Sequence, residues 1–309
     1  MGPTDLGTVI VVVAPGQGSQ TPGFLEPWLE LDGVREHLDA LGDAAELDLV
    51  ALGTTADADT IRRTEIAQPL IVAAGIVTAA ALQRTIGAVA GHSVGEVTAA
   101  VLGGVLSDVD GVRLVAVRGR AMAEAAAAVP TGMSAIVGGD EVAVVERLAA
   151  LGLTPANRNG GGQIVAAGEL SALESLRTEP PAGSRVIPLQ VAGAFHTSYM
   201  AAAVETLRAF AATLSPADPA VRLWTNRDGA EVTGGPAFLD LIVGQVASPV
   251  RWDRCMESFA RAGITGLVEL APAGTLTGLA KRALKGVPAV AVKSPADLAA
   301  AQDLLDRTE

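Results

Sequence analysis

Short apolar runs alternating with stretches of helical period organise most of this chain. The first run, Thr8-Val9-Ile10-Val11-Val12-Val13-Ala14, has no polar residue after its threonine and stops at Pro15-Gly16, the pattern of a strand buried on both faces. Helical patterns with short apolar runs between them continue to about residue 130, and such βα alternation predicts a parallel sheet covered by helices on both sides. The middle of the chain reads differently. Met133 to Val137 is strand-like and Glu141 to Ala150 has helical spacing. Leu153 to Asn157 and Gln163 to Ala167 are two extended runs, Leu170 to Arg177 is helical, and Arg185 to Val191 is a strand. The order β-α-β-β-α-β predicts a ferredoxin-like subdomain inserted in a larger α/β domain. After about residue 195 the α/β character returns, with Arg222 to Thr225 and Gly266 to Leu270 as expected strands. The expected division is therefore residues 1–131 with 195–309 for the large domain and 132–194 for the subdomain.

One junction carries chemistry. The apolar run at residues 87–90 breaks into Gly91-His92-Ser93-Val94-Gly95 and then opens the apolar helical stretch Glu96 to Leu102. Gly-x-Ser-x-Gly between a strand and a helix is a nucleophile elbow, in which a serine on a tight, strained turn needs flanking residues without a Cβ. The turn lifts the Ser93 hydroxyl into the open. It also aims the first free N–H groups of the helix at the same place, where an oxyanion would need donors. Glu96 falls in the first helical turn, where the helix dipole favours an acid.

Composition narrows the remaining options. With 309 residues the chain can bury a large core, and its 50% hydrophobic but 3% aromatic content means that Ala, Val and Leu fill it. A net charge of −12 argues against nucleic acid as a partner, since phosphate binding needs a basic face. The longest apolar run near the N-terminus, Val9 to Ala14, is too short to span a bilayer, so no membrane association is expected and the cytoplasm is the expected location. The single cysteine, Cys255, excludes an internal disulfide and lies in a helical pattern as a packed thiol. No histidine pair has metal-ligand spacing, and Gly16-Gln17-Gly18 lacks the third glycine of a dinucleotide loop, so neither a metal nor a bound cofactor is expected.

A serine nucleophile requires a base, and only three histidines exist. His37 lies on a charged helix surface and is read as solvated. His92 adjoins Ser93 on an extended segment and points away from it. His196, in Gly193-Ala194-Phe195-His196-Thr197, sits where the subdomain strand returns to the large domain. Before Ser93 the acids cluster on helices, and between Ser93 and His196 no acid stands alone on a loop end as a triad would want, so the group that orients the imidazole need not be a carboxylate. Ser107-Asp108-Val109-Asp110 has the form of a capping box and starts a helix to about Val129. On that helix Val115, Ala116, Gly119, Met122 and Ala123 form an apolar stripe, with Arg113, Arg120 and Glu124 opposite. Arg118 falls on the edge of the stripe. An inward guanidinium needs an anion, either an internal Asp or Glu or the carboxylate of a substrate, which its planar fork would grip with two hydrogen bonds.

These residues closely resemble those of malonyl-CoA:acyl carrier protein transacylases. The resemblance runs in order along nearly the whole chain: Pro15-Gly16-Gln17-Gly18-Ser19-Gln20, Gln68-Pro69-Leu70, Gly91-His92-Ser93-Val94-Gly95-Glu96, Arg118-Gly119 with Met122, Ala156-Asn157 with Asn159, Phe195-His196, Gln245 with Ser248-Pro249-Val250-Arg251-Trp252, and Gly274 to Leu279. It implies an α/β-hydrolase-like core with the ferredoxin-like subdomain inserted. It implies a Ser93–His196 dyad whose imidazole is oriented by the backbone carbonyl of Gln245, and an oxyanion hole from the N–H groups of Gln17 and Val94. Arg118 is then the residue that binds the malonyl carboxylate, and His92, Gln68, Asn157, Asn159 and Phe195 are candidates to line the acyl pocket. Gly-Ala-Phe-His resembles malonyl-selective members, whereas methylmalonyl-selective polyketide acyltransferases tend to carry Tyr-Ala-Ser-His.

The implied reaction moves a malonyl group from coenzyme A to Ser93 and then to the phosphopantetheine thiol of acyl carrier protein, for fatty-acid or polyketide synthesis. The alternatives are a polyketide acyltransferase with another extender unit, a serine esterase, and a carrier-binding module without chemistry. An acidic carrier docking on an acidic enzyme needs a local basic patch, and Lys281-Arg282 with Lys285 is the densest basic run.

Overall fold

The computed structural model describes residues 9–308; Thr8 of the expected first strand and the outermost ends of the expected large domain lie outside them. Ten strands are formed among the described residues: β1 (Ile10–Ala14), β2 (Ala88–Gly91), β3 (Thr131–Gly138), β4 (Thr154–Gly160), β5 (Gln163–Glu169), β6 (Ser184–Pro188), β7 (Arg222–Leu223), β8 (Val250–Arg251), β9 (Gly266–Glu269) and β10 (Ala289–Ala291).

Strands β10-β9-β1-β2-β7 form a sheet that is parallel throughout, with Val12 opposite both Val89 and Val268. All five residues of β1 are buried, as its apolar run predicts. Their side chains alternate between two cores. Ile10 and Val12 join Leu70, Val89 and Val97 on one face, while Val11 and Val13 join Trp224, Trp252, Phe259 and Leu276 on the other. The helix Thr64–Leu82 is long and apolar enough to cross a membrane by length and composition, but it is packed inside this protein against the helix Asp108–Ala128.

The second sheet has the order β6-β3-β5-β4-β8. Its first four strands are antiparallel, and the helices Glu141–Ala150 and Leu170–Thr178 follow β3 and β5, so the β-α-β-β-α-β order of the sequence pattern is present. The layer has its own core of Ile136, Val144, Leu148, Leu153, Ile164, Leu173 and Leu176. Strand β8 comes from far along the chain and pairs parallel with β4 through Asn157 and Val250. That strand ties the return segment to the subdomain sheet.

Three strands end earlier than their patterns suggest, β9 by one residue, at Glu269. β6 stops at Pro188; the N–H of Leu189 still donates to Met133, but Leu189 and Val191 then turn to line a cleft. β7 stops at Leu223, because the chain turns at Thr225 to bring Asn226 beneath the β2 end. Parallel sheets present their functional loops at the carboxyl ends of their strands, and here β1 and β2 deliver Gln17 and Ser93 side by side.

Candidate active site

The elbow is built by exclusion of side chains. A Cβ on Gly91 would lie 2.0 Å from the Gly95 carbonyl oxygen, and one on Gly95 would lie 2.2 Å from that of Ala14. Glycine is therefore the only residue that lets β1, β2 and the helix Gly95–Leu102 approach so closely. Ser93 between them has φ 54°, the left-handed region that costs a non-glycine residue about 1 kcal/mol or more. Asn226 holds the turn: its Oδ1 accepts the Ser93 N–H at 2.7 Å and its Nδ2 donates to the Gly91 carbonyl at 2.7 Å.

Ser93 Oγ lies 2.7 Å from His196 Nε2, and His196 Nδ1 lies 2.8 Å from the Gln245 carbonyl oxygen. A carbonyl only accepts, so Nδ1 carries the proton and Nε2 is left to accept from the serine hydroxyl. His196 also has a left-handed φ of 61°, and its N–H donates to the Val246 carbonyl. Burial, followed by the positive charge of Arg118, pushes the imidazole down to about 3, so the resting ring is neutral. The N–H groups of Gln17 and Val94 donate to no other group among the described residues, and both residues line the cavity that Ser93 and His196 share. The Ser93 N–H, by contrast, is already committed to Asn226.

The cavity has a volume of about 280 Å³ and lies between the two sheets. It gathers Gln17, Gln68, His92, Ser93, Val94 and His196 from the large layer with Asn157 and Asn159 from β4, and Phe195 closes one side. His92 is turned away from the serine, as expected of neighbours on an extended segment, and its Nε2 pairs with Asn159 Oδ1 at 2.8 Å. Asn159 in turn donates to Gln163, so the cleft is bridged by side chains from both layers. His37 is not the solvated side chain read from sequence: it packs half-buried, 3.0 Å from Asp108 at the start of the Arg118 helix.

Arg118 and Gln245 are not on the cavity wall but one layer behind it. Arg118 is 1% exposed; it donates to Gln68 Oε1 at 2.6 Å and to Gln245 Oε1 at 3.0 Å, and its Nε has no partner. Among the described residues no carboxylate lies within ion-pair distance of it. The compensating charge is Glu96, 0% exposed, whose two oxygens accept from the Asn226 N–H and from Gln245 Nε2. Burial raises Glu96 to about 7 against the hydrogen bonds of Asn226 and Thr225 and the Arg118 charge, and lowers Arg118 to about 10 against the Glu96 charge. Glu96 is thus not a surface dipole cap. Its helix is buried all round from Gly95 to Val101, and that lack of a polar face is the sequence signal that it must point inward. Asn226 had no such signal beyond its place just after a strand. Cys255 is the packed thiol expected, donating to the Thr225 carbonyl, and burial pushes it up.

A model of the acyl transferase domain matches residues 11–301. The malonyl CoA-acyl carrier protein transacylase of Mycobacterium tuberculosis H37Rv is 53% identical over 296 residues, 94% of this chain and 98% of the relative. A crystal structure of the transacylase from that organism superposes with a TM-score of 0.92 at 51% identity, covering 96% of this chain and 99% of the other. A malonyl-transacylase solved in complex with a type II PKS acyl-carrier protein superposes with a TM-score of 0.90 at 29% identity, over 96% of this chain and 99% of that one. The serine elbow, the carbonyl-oriented histidine and the buried arginine stand in a chain of matching length and fold, and the chain belongs to the malonyl-CoA:acyl carrier protein transacylase family of acyl transferases.

Proposed function

We propose that this protein transfers a malonyl group from coenzyme A, through an ester on Ser93, to the phosphopantetheine thiol of acyl carrier protein. The observation that carries the reading is a buried guanidinium with no carboxylate within ion-pair distance among the described residues, placed beside a serine–histidine pair. An esterase would have no use for that charge. The large parallel sheet and the inserted β-α-β-β-α-β layer support an α/β-hydrolase-like core, residues 1–131 with 195–309, carrying a ferredoxin-like subdomain at 132–194. No bound cofactor is needed, because both acyl carriers are substrates, and the cytoplasm is the proposed location.

In the first half-reaction Ser93 Oγ attacks the thioester carbonyl while its proton passes to His196 Nε2. The imidazolium that forms is held at Nδ1 by the Gln245 carbonyl, and it forms only together with the oxyanion that balances it. The Gln17 and Val94 N–H groups, free to donate, receive that oxyanion. On collapse the C–S bond breaks and Nε2 returns its proton to the departing coenzyme A sulfur. The malonyl carboxylate takes donors of Arg118 that neutral Gln oxygens occupy in the resting site, a replacement favoured because a charged acceptor binds a guanidinium more strongly than an amide does. The carrier thiol then repeats the chemistry in reverse order, giving its proton to His196 as it attacks the ester, and Ser93 is regenerated. Exposed Lys281 and Arg282, in the last turn of the helix Thr275–Ala283 whose first residues line the cleft, are the proposed carrier contact; the other nearby candidates, Arg251 and Arg254, are engaged by Asp253 and Glu257.

Initial-rate kinetics with malonyl-CoA and holo carrier protein test the two-step order. Parallel double-reciprocal lines are expected from a covalent intermediate; intersecting lines would require both substrates to be bound at once and would contradict it.

A further inference from the structure

The Arg118 charge is compensated at a distance, and the compensation runs through one side-chain amide. Resting on the malonyl reading, we propose that Glu96 is a positioning residue that determines acyl-group specificity: it holds the Gln245 amide with its oxygen turned to Arg118. A glutamine amide is nearly symmetric in shape and could fill its space either way round. Here the two ends face different partners. Nε2 donates to Glu96 Oε2 and, at 3.2 Å, to Asn226 Oδ1, while Oε1 accepts from Arg118 Nη2. Asn226 cannot turn to suit Gln245, because its own oxygen takes the Ser93 N–H and its nitrogen donates to Gly91. Glu96 is therefore the acceptor that decides the orientation.

Both Glu96 oxygens accept, one from Asn226 N–H and one from Gln245, so the site is built for a carboxylate. Placing that carboxylate one amide away from the guanidinium has a consequence for substrate. A direct ion pair would fill the arginine fork; an indirect one stabilises the cation in a dry interior and leaves donors that only weak amide acceptors occupy. An acyl group ending in a carboxylate then finds a fixed partner, and acetyl, with no carboxylate, gains nothing from it.

Replacing Glu96 by glutamine leaves one acceptor and one donor where two donors approach. Either Asn226 N–H or Gln245 Nε2 then meets an NH2 group, and relief by flipping Gln245 would set its NH2 against the guanidinium. Acylation of Ser93 by malonyl-CoA and by acetyl-CoA, followed by quenched-flow intact mass, reads the effect. Glu96→Gln is expected to lower the malonyl-to-acetyl ratio of kcat/KM roughly 10-fold or more, the scale of one hydrogen bond to a charged group. Gln245→Met, which keeps the backbone carbonyl that holds His196, is expected to lower the ratio similarly and carries the test if the Glu96 variant does not fold. A wild-type ratio in Gln245→Met or in folded Glu96→Gln, or an equal fall for both acyl groups, overturns the inference. Arg118→Ala measured alongside separates the two claims: a changed ratio there with an unchanged one in these variants leaves the malonyl reading standing and removes Glu96 from it, whereas a wild type without preference for malonyl removes both.

Discussion

Arg118→Ala separates binding of a carboxylate from everything else the site does. The guanidinium is 1% exposed and holds two hydrogen bonds to neutral amides, so its removal leaves Gln68 Oε1 and Gln245 Oε1 unpaired and strips Glu96 of its opposing charge. For malonyl-CoA the transition state also loses its carboxylate partner. Breaking one side of a buried, hydrogen-bonded charge pair costs about 3–5 kcal/mol, or roughly two to three and a half decades in rate. The resting contacts are present in both cases and cancel when malonyl is compared with acetyl, so the expected fall in the malonyl-to-acetyl ratio is at the lower end, about 100-fold. Acetyl loading is expected to fall far less, because acetyl has no carboxylate to lose a partner and shares only the loss of the resting Gln68 and Gln245 contacts. Single-turnover loading of Ser93, followed by intact mass with each acyl-CoA on protein whose melting curve shows it folded, gives both rates. Equal losses for the two acyl groups would mean that the arginine supports the fold of the site and does not read the substrate.

Acid sensitivity of the fold should be set by buried groups of opposite sign: burial lowers the pKa of His92 and His196 and raises that of Glu96. The His196 pKa is lower folded than unfolded, so its contribution is complete above pH 6.5 and is lost as pH falls toward about 3; Glu96, raised from 4.5 to about 7, works the other way and favours folding as pH falls from 7 to 4.5. A group protonated in only one of the two states contributes a slope of about 1.4 kcal/mol per pH unit, and between pH 6.5 and 4.5 Glu96 opposes the two histidines. Denaturant midpoints at pH 6.5 and 5 should therefore rise on acidification in His196→Ala and fall in Glu96→Gln, relative to wild type; parallel changes in the two variants would refute the assignment. Gly95→Ala should destabilise by at least about 1–3 kcal/mol and abolish loading, since its Cβ would drive into the Ala14 carbonyl and part β1 from the elbow, and a variant with normal melting temperature and loading would contradict that geometry.

How much of this was legible in the chain depends on the range of each interaction. The elbow is local: Gly91, Ser93 and Gly95 lie within five positions, and the steric rule that needs both glycines acts over that distance. The dyad was readable because histidine is scarce, with three in the chain and one at the seam between layers. The Gln245 carbonyl came only from family resemblance, since every residue has a carbonyl and nothing in the side-chain pattern marks this one. Asn226 and Glu96 stayed hidden for another reason. Asn226 is 133 positions from the serine amide it holds, and Glu96 is 149 from the glutamine it orients, so their roles exist only once the sheet and helix ends have met. The helical wheel put Arg118 at the edge of an apolar stripe, which was correct for its burial but silent about its depth behind Gln68. Strand β8 is two residues long and has no period to detect, although it attaches the return segment of the chain to the second sheet.

The central claim is that one serine carries the acyl group. Wild-type protein incubated with malonyl-CoA alone and measured by intact mass should gain a single malonyl increment, lost when holo carrier protein is added, and Ser93→Ala should gain none. Persistence of the malonyl adduct in Ser93→Ala would place the acyl group elsewhere and contradict the account.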